Sequence, residues 1–255
     1  MGKKRSFLIV AVMAVAVMFP STQPWAAGQA GSNAQLPLPP RVSSLGSGIP
    51  DLNGVWDGPS ILNNAIEYLG GLPPFTPLGL ERWNNRVLGD DPTGFCQPTG
   101  PGRVWHSPFP FQIIQTPGMV TFLFEMHHTF HRVFTDGRKH PEPLDVTWWG
   151  SSIGRYEGNK LIVETVGISD RSWLFTAGLQ HSDQLKLTWV FEKTAPDTIK
   201  FSETFDDPVY FTRPWSIAYD FRPEQYDMME MICTDNNRDV EHFITSEKSR
   251  EQRQQ

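Results

Sequence analysis

The stretch QLKLTWVFEKTAPDTIKFSETF, residues 184–205, decides the fold of this chain. Apolar residues occupy every second position from Leu185 to Phe191, and the alternation resumes at Ile199 after a Pro196–Asp197 turn. Successive side chains of a β-strand point to opposite faces, so this spacing predicts two antiparallel strands that share one apolar face.

Similar short runs of β-branched and aromatic residues lie on both sides of this hairpin. Gly158–Asn159 favours the tight turn of a second hairpin over Gly154–Thr165, because both turn residues tolerate positive φ angles. Other predicted strands lie at Asp51–Asp57, Phe111–Gln115, Val120–Met126, His128–Phe134, Pro214–Phe221 and Gln225–Ile232. A sheet of about nine or ten strands must curl, and closing it removes its exposed edges. We therefore expect an all-β protein, an antiparallel meander closed into a lipocalin-like barrel; a β-sandwich is the alternative.

One short helix is expected after the first strand. Thr76 is suited to cap its amino terminus, and Pro77 fits the first turn, where the missing N–H costs nothing. The helix would continue over Leu78–Val87. The Asp90–Arg103 segment that follows is rich in proline and glycine, which predicts a long irregular loop.

The amino terminus has the features of a secretory signal. Lys3, Lys4 and Arg5 precede an apolar run from Phe7 to Phe19, which is shorter than the roughly 20 residues that span a bilayer. We predict a signal peptide over residues 1–30, a flexible lead-in over 31–50, a single β-barrel domain over 51–240 and a polar tail over 241–255. The mature protein would be periplasmic or secreted and would have no membrane span; an uncleaved anchor is the alternative.

The charge of the mature chain argues against binding to nucleic acid. Removal of residues 1–30 takes away three basic residues and leaves 19 basic against 28 acidic residues, a net charge of −9. Such a protein repels a phosphate backbone. The oligomeric state does not follow from the composition.

The two cysteines, Cys96 and Cys233, are expected to form a disulfide in an oxidising compartment. This bridge would close most of the domain into one loop and contribute roughly 4 to 5 kcal/mol on the chain-entropy model. Two buried free thiols are the alternative. Neither cysteine has a partner at the C-x-x-C spacing of a zinc site.

Histidines concentrate in the segment EMHHTFHR, residues 125–132. If this segment is a regular strand, its first face carries Glu125, His127, Thr129 and His131. Carboxylate and imidazole together suit zinc or non-haem iron, so this face resembles a metal triad. The alternative is the solvent face of a strand, since no ligand-spacing motif is matched. We favour the alternative and predict no bound metal.

The opposite face of that strand would carry His128, Phe130 and Arg132 beside a wall of phenylalanines. An ionised guanidinium in an apolar setting needs a partner or a ligand anion. Asp170 and Glu164 are candidate partners for Arg132; the other possibility is that Arg132 binds the substrate.

Connecting segments supply further candidates near the ends of strands. Trp148, Tyr156 and Trp173 offer aromatic contacts to a ligand, and Asp170 and His181 offer a carboxylate and an imidazole. Loops at the mouth of a barrel are where ligand-binding groups gather. A histidine titrates near neutral pH and burial pushes an aspartate toward it, so this pair suits acid–base catalysis. Ordinary turn residues are the alternative.

Cofactor motifs are missing from the sequence. The chain has no H-E-x-x-H zinc motif, no Walker loop and no dinucleotide fingerprint. We therefore expect no cofactor, and we do not expect a nucleophile of the hydrolase type.

The chain from about residue 51 to 240 resembles a large group of uncharacterised exported bacterial proteins, with shared motifs in the same order. The matching segments are DLNGVW at 51–56, PFTPLG at 74–79, DDP at 90–92 with Cys96, QTP at 115–117, Glu125 with His128 and Arg132, DGR at 136–138 with His140–Pro141, Thr147–Thr165, Trp173–Leu174, His181–Ser182, DDP at 206–208, and Cys233 with NNRD at 236–239.

The resemblance implies relatedness, and it draws attention to the ionisable members of the shared pattern, which are Glu125, His128, Arg132, Asp170 and His181. Two positions depart from that pattern. Tyr156 replaces a tryptophan, and His131 replaces an arginine. The second departure weakens the metal-triad interpretation, because it makes His131 peculiar to this chain.

These features favour a periplasmic enzyme that acts on a small organic molecule, apolar or cyclic, in an aromatic cavity. His128, Asp170 and His181 would transfer protons in a lyase, hydratase or isomerase step, with Glu125 or Arg132 orienting them. The alternative is a carrier that binds such a ligand without changing it. A third possibility, an assembly partner in the envelope, requires an apolar exterior face that the alternating runs do not show.

Overall fold

The computed structural model describes residues 45–59 and 71–235. The predicted signal peptide and most of the predicted lead-in lie outside the described residues, as do residues 60–70 and 236–255. The described residues all belong to one compact unit.

Nine β-strands form a closed barrel, which confirms the predicted fold class. The strands are β1 (Gly54–Asp57), β2 (Phe111–Thr116), β3 (Met119–Phe124), β4 (Thr129–Phe134), β5 (Ser151–Glu157), β6 (Lys160–Val166), β7 (Lys186–Ala195), β8 (Thr198–Asp206) and β9 (Trp215–Pro223). The barrel closes where β9 pairs with β1. The strand predicted over Gln225–Ile232 is wrong, because this segment has irregular structure.

The alternation in residues 184–205 has the predicted consequence. Leu187, Trp189 and Phe191 of β7 are fully buried, and the residues between them are half-buried. β8 pairs with β7 in antiparallel register, with one irregularity between Lys193 and Ala195 beside the turn, and buries Phe201 and Phe205 on the same side. The apolar face of this hairpin therefore forms part of the barrel core.

The meander is interrupted at one place. β4 and β5 run parallel, and Phe134–Ile153 is their single pair of facing residues. Parallel strands cannot be joined by a tight turn, so residues 135–150 lead the chain back along the barrel before β5 begins. We call this sparsely paired line between β4 and β5 the seam.

The interior of the barrel is filled by the chain itself. A 3₁₀ turn at Val104–His106 brings Trp105 against rings from several strands. The ring centroid of Trp105 lies 5.1 to 5.4 Å from those of Phe122, Trp189 and Phe191. Trp105 is 2% exposed. The barrel axis is therefore a packed aromatic core rather than the expected open cavity.

The predicted helix forms as α1 (Pro77–Asn84), and the Thr76 hydroxyl accepts a hydrogen bond from the Gly79 N–H at 3.1 Å. It ends before the predicted Val87, and beyond its end Arg86 stacks on Trp83 and donates a hydrogen bond to the Ala177 carbonyl. No helix in the described ranges is both long enough and apolar enough to cross a membrane.

Cys96 and Cys233 form the predicted disulfide. It ties the irregular loop after α1 to residues 224–233, which we call the strap. The Glu224 N–H donates to the Val55 carbonyl at the other end of the strap. The strap is thus held at both ends, although it is not a strand.

Candidate functional site

A pocket opens at the seam, where β4 and β5 share a single pair of facing residues. Its cavity volume is about 470 Å³, which falls within the roughly 300 to 1,000 Å³ usual for small-molecule sites. The side chains that matter for its chemistry are His128, Phe130, His131, Arg132, Trp149 and Ser152. We call it the seam pocket.

His131 lies at the buried base of the seam pocket. Its Nε2 atom is 2.6 Å from the Ser152 hydroxyl oxygen, which is 2.6 Å from the Thr165 hydroxyl oxygen. His131, Ser152 and Thr165 are 5%, 4% and 0% exposed. Three strands thus contribute one short chain of hydrogen-bonding groups.

Aromatic rings surround His131, and its burial among them lowers its pKa. The ring stacks on Trp149 at 5.5 Å and meets Trp189 edge-on at 5.7 Å. Burial, assisted by the positive charge of Arg132, lowers the pKa of His131 to about 4. The imidazole is therefore neutral at physiological pH. Its Nδ1 atom has no hydrogen-bond partner among the described residues.

Arg132 is exposed at the mouth of the pocket and does not have the predicted carboxylate partner. Its guanidinium lies 5.8 Å from the Phe134 ring centre, and no ion pair within the described part of the chain includes it. Glu164 pairs with Lys186 at 2.5 Å instead. Asp170 is exposed on another loop. No carboxylate lines the pocket, so Arg132 is its one permanent charge.

Residues 125–132 do not form one regular strand, so the predicted division into two faces is wrong. Met126–His128 form a 3₁₀ turn in which φ is +60° at His127 and +47° at His128. Glu125 and His131 are both buried, which rules out a solvent face, whereas Phe130 is 59% exposed. The described residues contain no group of three His, Cys, Asp or Glu placed to hold a metal ion.

Glu125 and His128 both hold the strap. Glu125 Oε2 accepts a hydrogen bond from the Met229 N–H at 2.7 Å, and His128 Nε2 accepts one from the Met231 N–H at 2.7 Å. These two predicted catalytic residues therefore lie close together, but the hydrogen bonds they make are structural.

Asp170 and His181 lie on the same loop between β6 and β7. Burial lowers the pKa of His181, against smaller opposing effects from the Ser182 carbonyl and from Asp207 and Asp170. The His181 Nδ1–H donates to the Ser182 carbonyl at 2.8 Å, and Nε2 lies 3.0 Å from the Ser172 hydroxyl. His181 is 1% exposed, so it is enclosed by its own loop.

The predicted aromatic ligand contacts are dispersed. The Trp148 indole donates to the Pro98 carbonyl at 2.7 Å, and Trp173 is 4% exposed. Tyr156 accepts a hydrogen bond from the Gln115 side chain at 3.0 Å. None of these three residues lines the seam pocket, whose tryptophan is Trp149.

A second buried group of titratable residues lies in the barrel core and was not predicted. His106 Nε2 is 3.0 Å from Glu203 Oε2, the Trp189 indole donates to Glu203 Oε1, and the Tyr219 hydroxyl contacts His106 Nδ1 at 2.9 Å. Burial lowers the pKa of His106 to about 3 and raises that of Glu203 well above its usual value. We infer that this pair is neutral. Trp105 and its aromatic neighbours separate it from solvent.

A larger surface depression of about 670 Å³ lies beside the end of β9. It is lined by Asp57, Asp220, Arg222 and Glu224 and holds no histidine. We therefore take the seam pocket as the candidate site.

No protein-family model, no curated protein and no solved structure matches this chain. The function is accordingly argued from the geometry of the seam pocket.

Proposed function

We propose that this protein is exported and binds a small cyclic organic molecule that carries a carboxylate, with the seam pocket as its site. The observation that carries this proposal is the combination of an aromatic wall, an unpaired guanidinium and no carboxylate in one pocket. Trp149 and Phe130 suit the ring of the ligand, and Arg132 suits its anion. A chain with a formal net charge of −6 otherwise repels anions.

The binding test uses 2-naphthoate, with 2-methylnaphthalene as its uncharged counterpart. Thermal stabilisation and native mass spectrometry of the mature protein are expected to show one bound naphthoate and weaker binding of the hydrocarbon. Arg132→Gln should weaken naphthoate binding about tenfold, which corresponds to about 1.4 kcal/mol. Trp149→Leu should weaken binding of both compounds.

Arg155→Gln is the matched control, because Arg155 is an exposed arginine on β5 that pairs with Glu157 at 2.7 Å. It should leave naphthoate affinity unchanged. If Arg155→Gln and Arg132→Gln have equal effects, the attraction is not local to the pocket and the proposal is wrong.

A second candidate function is acid–base catalysis on the bound molecule, favoured by one observation, the neutral imidazole of His131 at the buried base of the seam pocket. A base must lie within hydrogen-bond reach of the proton it removes, and His131 lies at the base of the pocket. We therefore propose His131, rather than the predicted His128, Asp170 and His181, as the group that transfers the proton.

Deuterium exchange of a cyclic keto acid in D₂O tests this second candidate. His131→Gln should abolish protein-dependent exchange next to the carbonyl, whereas Asp170→Asn should leave it unchanged. Loss of exchange in Asp170→Asn with retention in His131→Gln would restore the original assignment.

Export is supported by the basic and apolar amino terminus and by the Cys96–Cys233 disulfide. Disulfides persist mainly in oxidising compartments. Mass spectrometry of the protein from its own host should find a chain without residues 1–30 that is two hydrogens lighter than the reduced form. A full-length, reduced chain would contradict export.

A further inference from the structure

Ser152 lies between two other side chains in a way that defines the direction of its proton. The Thr165 hydroxyl is fully buried, and Ser152 is its one side-chain partner among the described residues. Leaving a buried O–H without an acceptor is unfavourable, so Thr165 donates to Ser152. The Ser152 proton is then donated to Nε2 of His131, the neutral acceptor 2.6 Å away.

The register of β5 and β6 turns the backbone of Ser152 toward the seam. The two-residue turn at Gly158–Asn159 makes Glu157 and Lys160 a hydrogen-bonded pair, and such pairs alternate along an antiparallel ladder. Ser152 and Thr165 are therefore a non-hydrogen-bonded pair. Their side chains come close together, and the Ser152 N–H points toward β4.

That N–H has no strand partner. Phe134–Ile153 is the single pair across the seam, and it leaves the N–H groups of Ser152 and Arg132 without an acceptor in the facing strand. Unpaired backbone N–H groups beside a hydroxyl nucleophile are the donors that stabilise an oxyanion. The seam thus combines a hydroxyl, a base and oxyanion donors.

We propose that Ser152 is a nucleophile that cleaves carboxylate-bearing esters bound in the seam pocket, with His131 as its general base. The Ser152 oxygen attacks the ester carbonyl carbon, and its proton passes to His131 Nε2. The bond from the carbonyl carbon to the leaving alcohol then breaks, and His131 gives the proton to that alcohol. Water repeats the sequence on the acyl-serine and releases the acid. This inference rests on the proposed binding site.

The substrate class follows from the surroundings of the His131 imidazole. In the usual triad a protein carboxylate stabilises the imidazolium, but no carboxylate contacts His131 in the described part of the chain. A carboxylate on the substrate can take this place and is also the group that Arg132 attracts. An ester with its own acidic group is therefore preferred.

Residues 150–154, GSSIG, have the spacing G-x-S-x-G around Ser152, contrary to the expectation that the chain has no nucleophile of the hydrolase type. The usual setting of that motif is a turn from a strand to a helix, whereas Ser152 lies at the start of β5. Packing explains the glycine at position 154, since an added Cβ would lie 2.8 Å from the Val133 side chain. The geometry, rather than the motif, carries the proposal.

Labelling with diisopropyl fluorophosphate tests the proposal. Intact mass and peptide mapping should find one adduct, on Ser152, and both Ser152→Ala and His131→Gln should reduce labelling at least about a hundredfold. The chain provides two matched controls. Ser151 lies 3.1 Å from His140 and makes no hydrogen bond to His131, and Ser172 lies 3.0 Å from the enclosed His181. Ser151→Ala and Ser172→Ala should label like the parent protein.

Hydrolysis of 4-nitrophenyl hydrogen succinate and 4-nitrophenyl butyrate tests the substrate class. The succinate ester should have a kcat/KM about tenfold higher, and Arg132→Gln should remove this difference. Equal rates in the parent protein would overturn the preference for acidic esters.

The assignment of Ser152 as a nucleophile activated by His131 would be overturned by any of three results: no adduct, an adduct on another serine, or full labelling of His131→Gln. Ser152→Ala must still bind 2-naphthoate within about threefold of the parent, which shows that it is folded. Naphthoate binding without labelling would contradict only the proposed role of Ser152 as nucleophile. Failure of naphthoate binding would contradict the proposed function of the seam pocket as a binding site.

Discussion

Two buried histidines show how the fully paired part of the barrel, which we call the closed side, differs from the seam. His106 lies in the core, where Tyr219 and Glu203 contact its two ring nitrogens. His131 lies at the seam, where Ser152 contacts one nitrogen and the other has no partner among the described residues. Burial lowers the pKa of both histidines. Burial is therefore the main reason that both histidines are neutral, and an incomplete sheet decides whether a buried histidine is available for chemistry.

The difference arises from strand pairing. β7 and β8 pair along almost their whole length, from Lys186–Asp206 to Ala195–Thr198 with one irregularity near the turn, and bury their apolar face against Trp105. β4 and β5 share one pair. We expect substitutions on the closed side to change stability and substitutions at the seam to change binding and reactivity.

The largest expected effect is that of Trp105→Ala. Removing the ring at the centre of the core should lower the free energy of unfolding by about 3 to 5 kcal/mol, because the packed neighbours cannot refill the space. Chemical denaturation at pH 7 measures it. Phe130→Ala, at an exposed aromatic residue of the seam, should cost less than about 1 kcal/mol. Similar losses of stability in the two variants would contradict the expectation that the core contributes more to stability than the seam.

A smaller effect is expected from the titration of His131. Its pKa is about 4 in the folded protein, below the ordinary value of 6.5, so the unfolded chain binds the proton first as the pH falls. The stabilisation is complete above pH 6.5 and is lost as the pH falls toward 4. Between pH 7 and pH 5, His131 should account for a loss of about 2 kcal/mol in the free energy of unfolding.

Denaturation of His131→Gln at both pH values measures this contribution, since the variant should lose less stability on acidification than the parent. An unchanged pH dependence in His131→Gln would show that His131 is not neutralised by burial.

The smallest expected effect is that of His128→Ala, which removes one hydrogen bond to the strap. The cost should be about 0.5 to 1.5 kcal/mol. The sharper measurement is amide hydrogen exchange. The Met231 amide should exchange faster, while the Met229 amide, held by Glu125, should be unchanged. Protection of Met231 in the variant would contradict a structural role for His128.

Much of the fold was predictable because it depends on local patterns. The alternation in residues 184–205 and the Gly158–Asn159 turn correctly predicted two hairpins, and Thr76 correctly predicted the start of α1. The strand predicted over Gln225–Ile232 failed, since apolar residues alone do not provide a pairing partner. Its backbone instead bonds to Glu125 and His128.

The candidate site was less predictable. Two of the predicted residues, His128 and Arg132, line the seam pocket, whereas Asp170 and His181 lie on a different loop. Counting from the Gly158–Asn159 turn places Ser152 opposite Thr165, so that contact was available from the sequence. The approach of His131 was not, because it depends on where β4 lies after residues 135–150 return along the barrel.

The sequence by itself determined the class of the fold, the disulfide between its two cysteines and the aromatic character of the interior, because these follow from composition and from the two-residue period of a strand. Only the tertiary structure decided that Trp105 fills the barrel and that β4 and β5 meet at a single pair. Both facts depend on contacts between residues that are distant in the sequence. The seam pocket exists because β4 and β5 are paired at only one position.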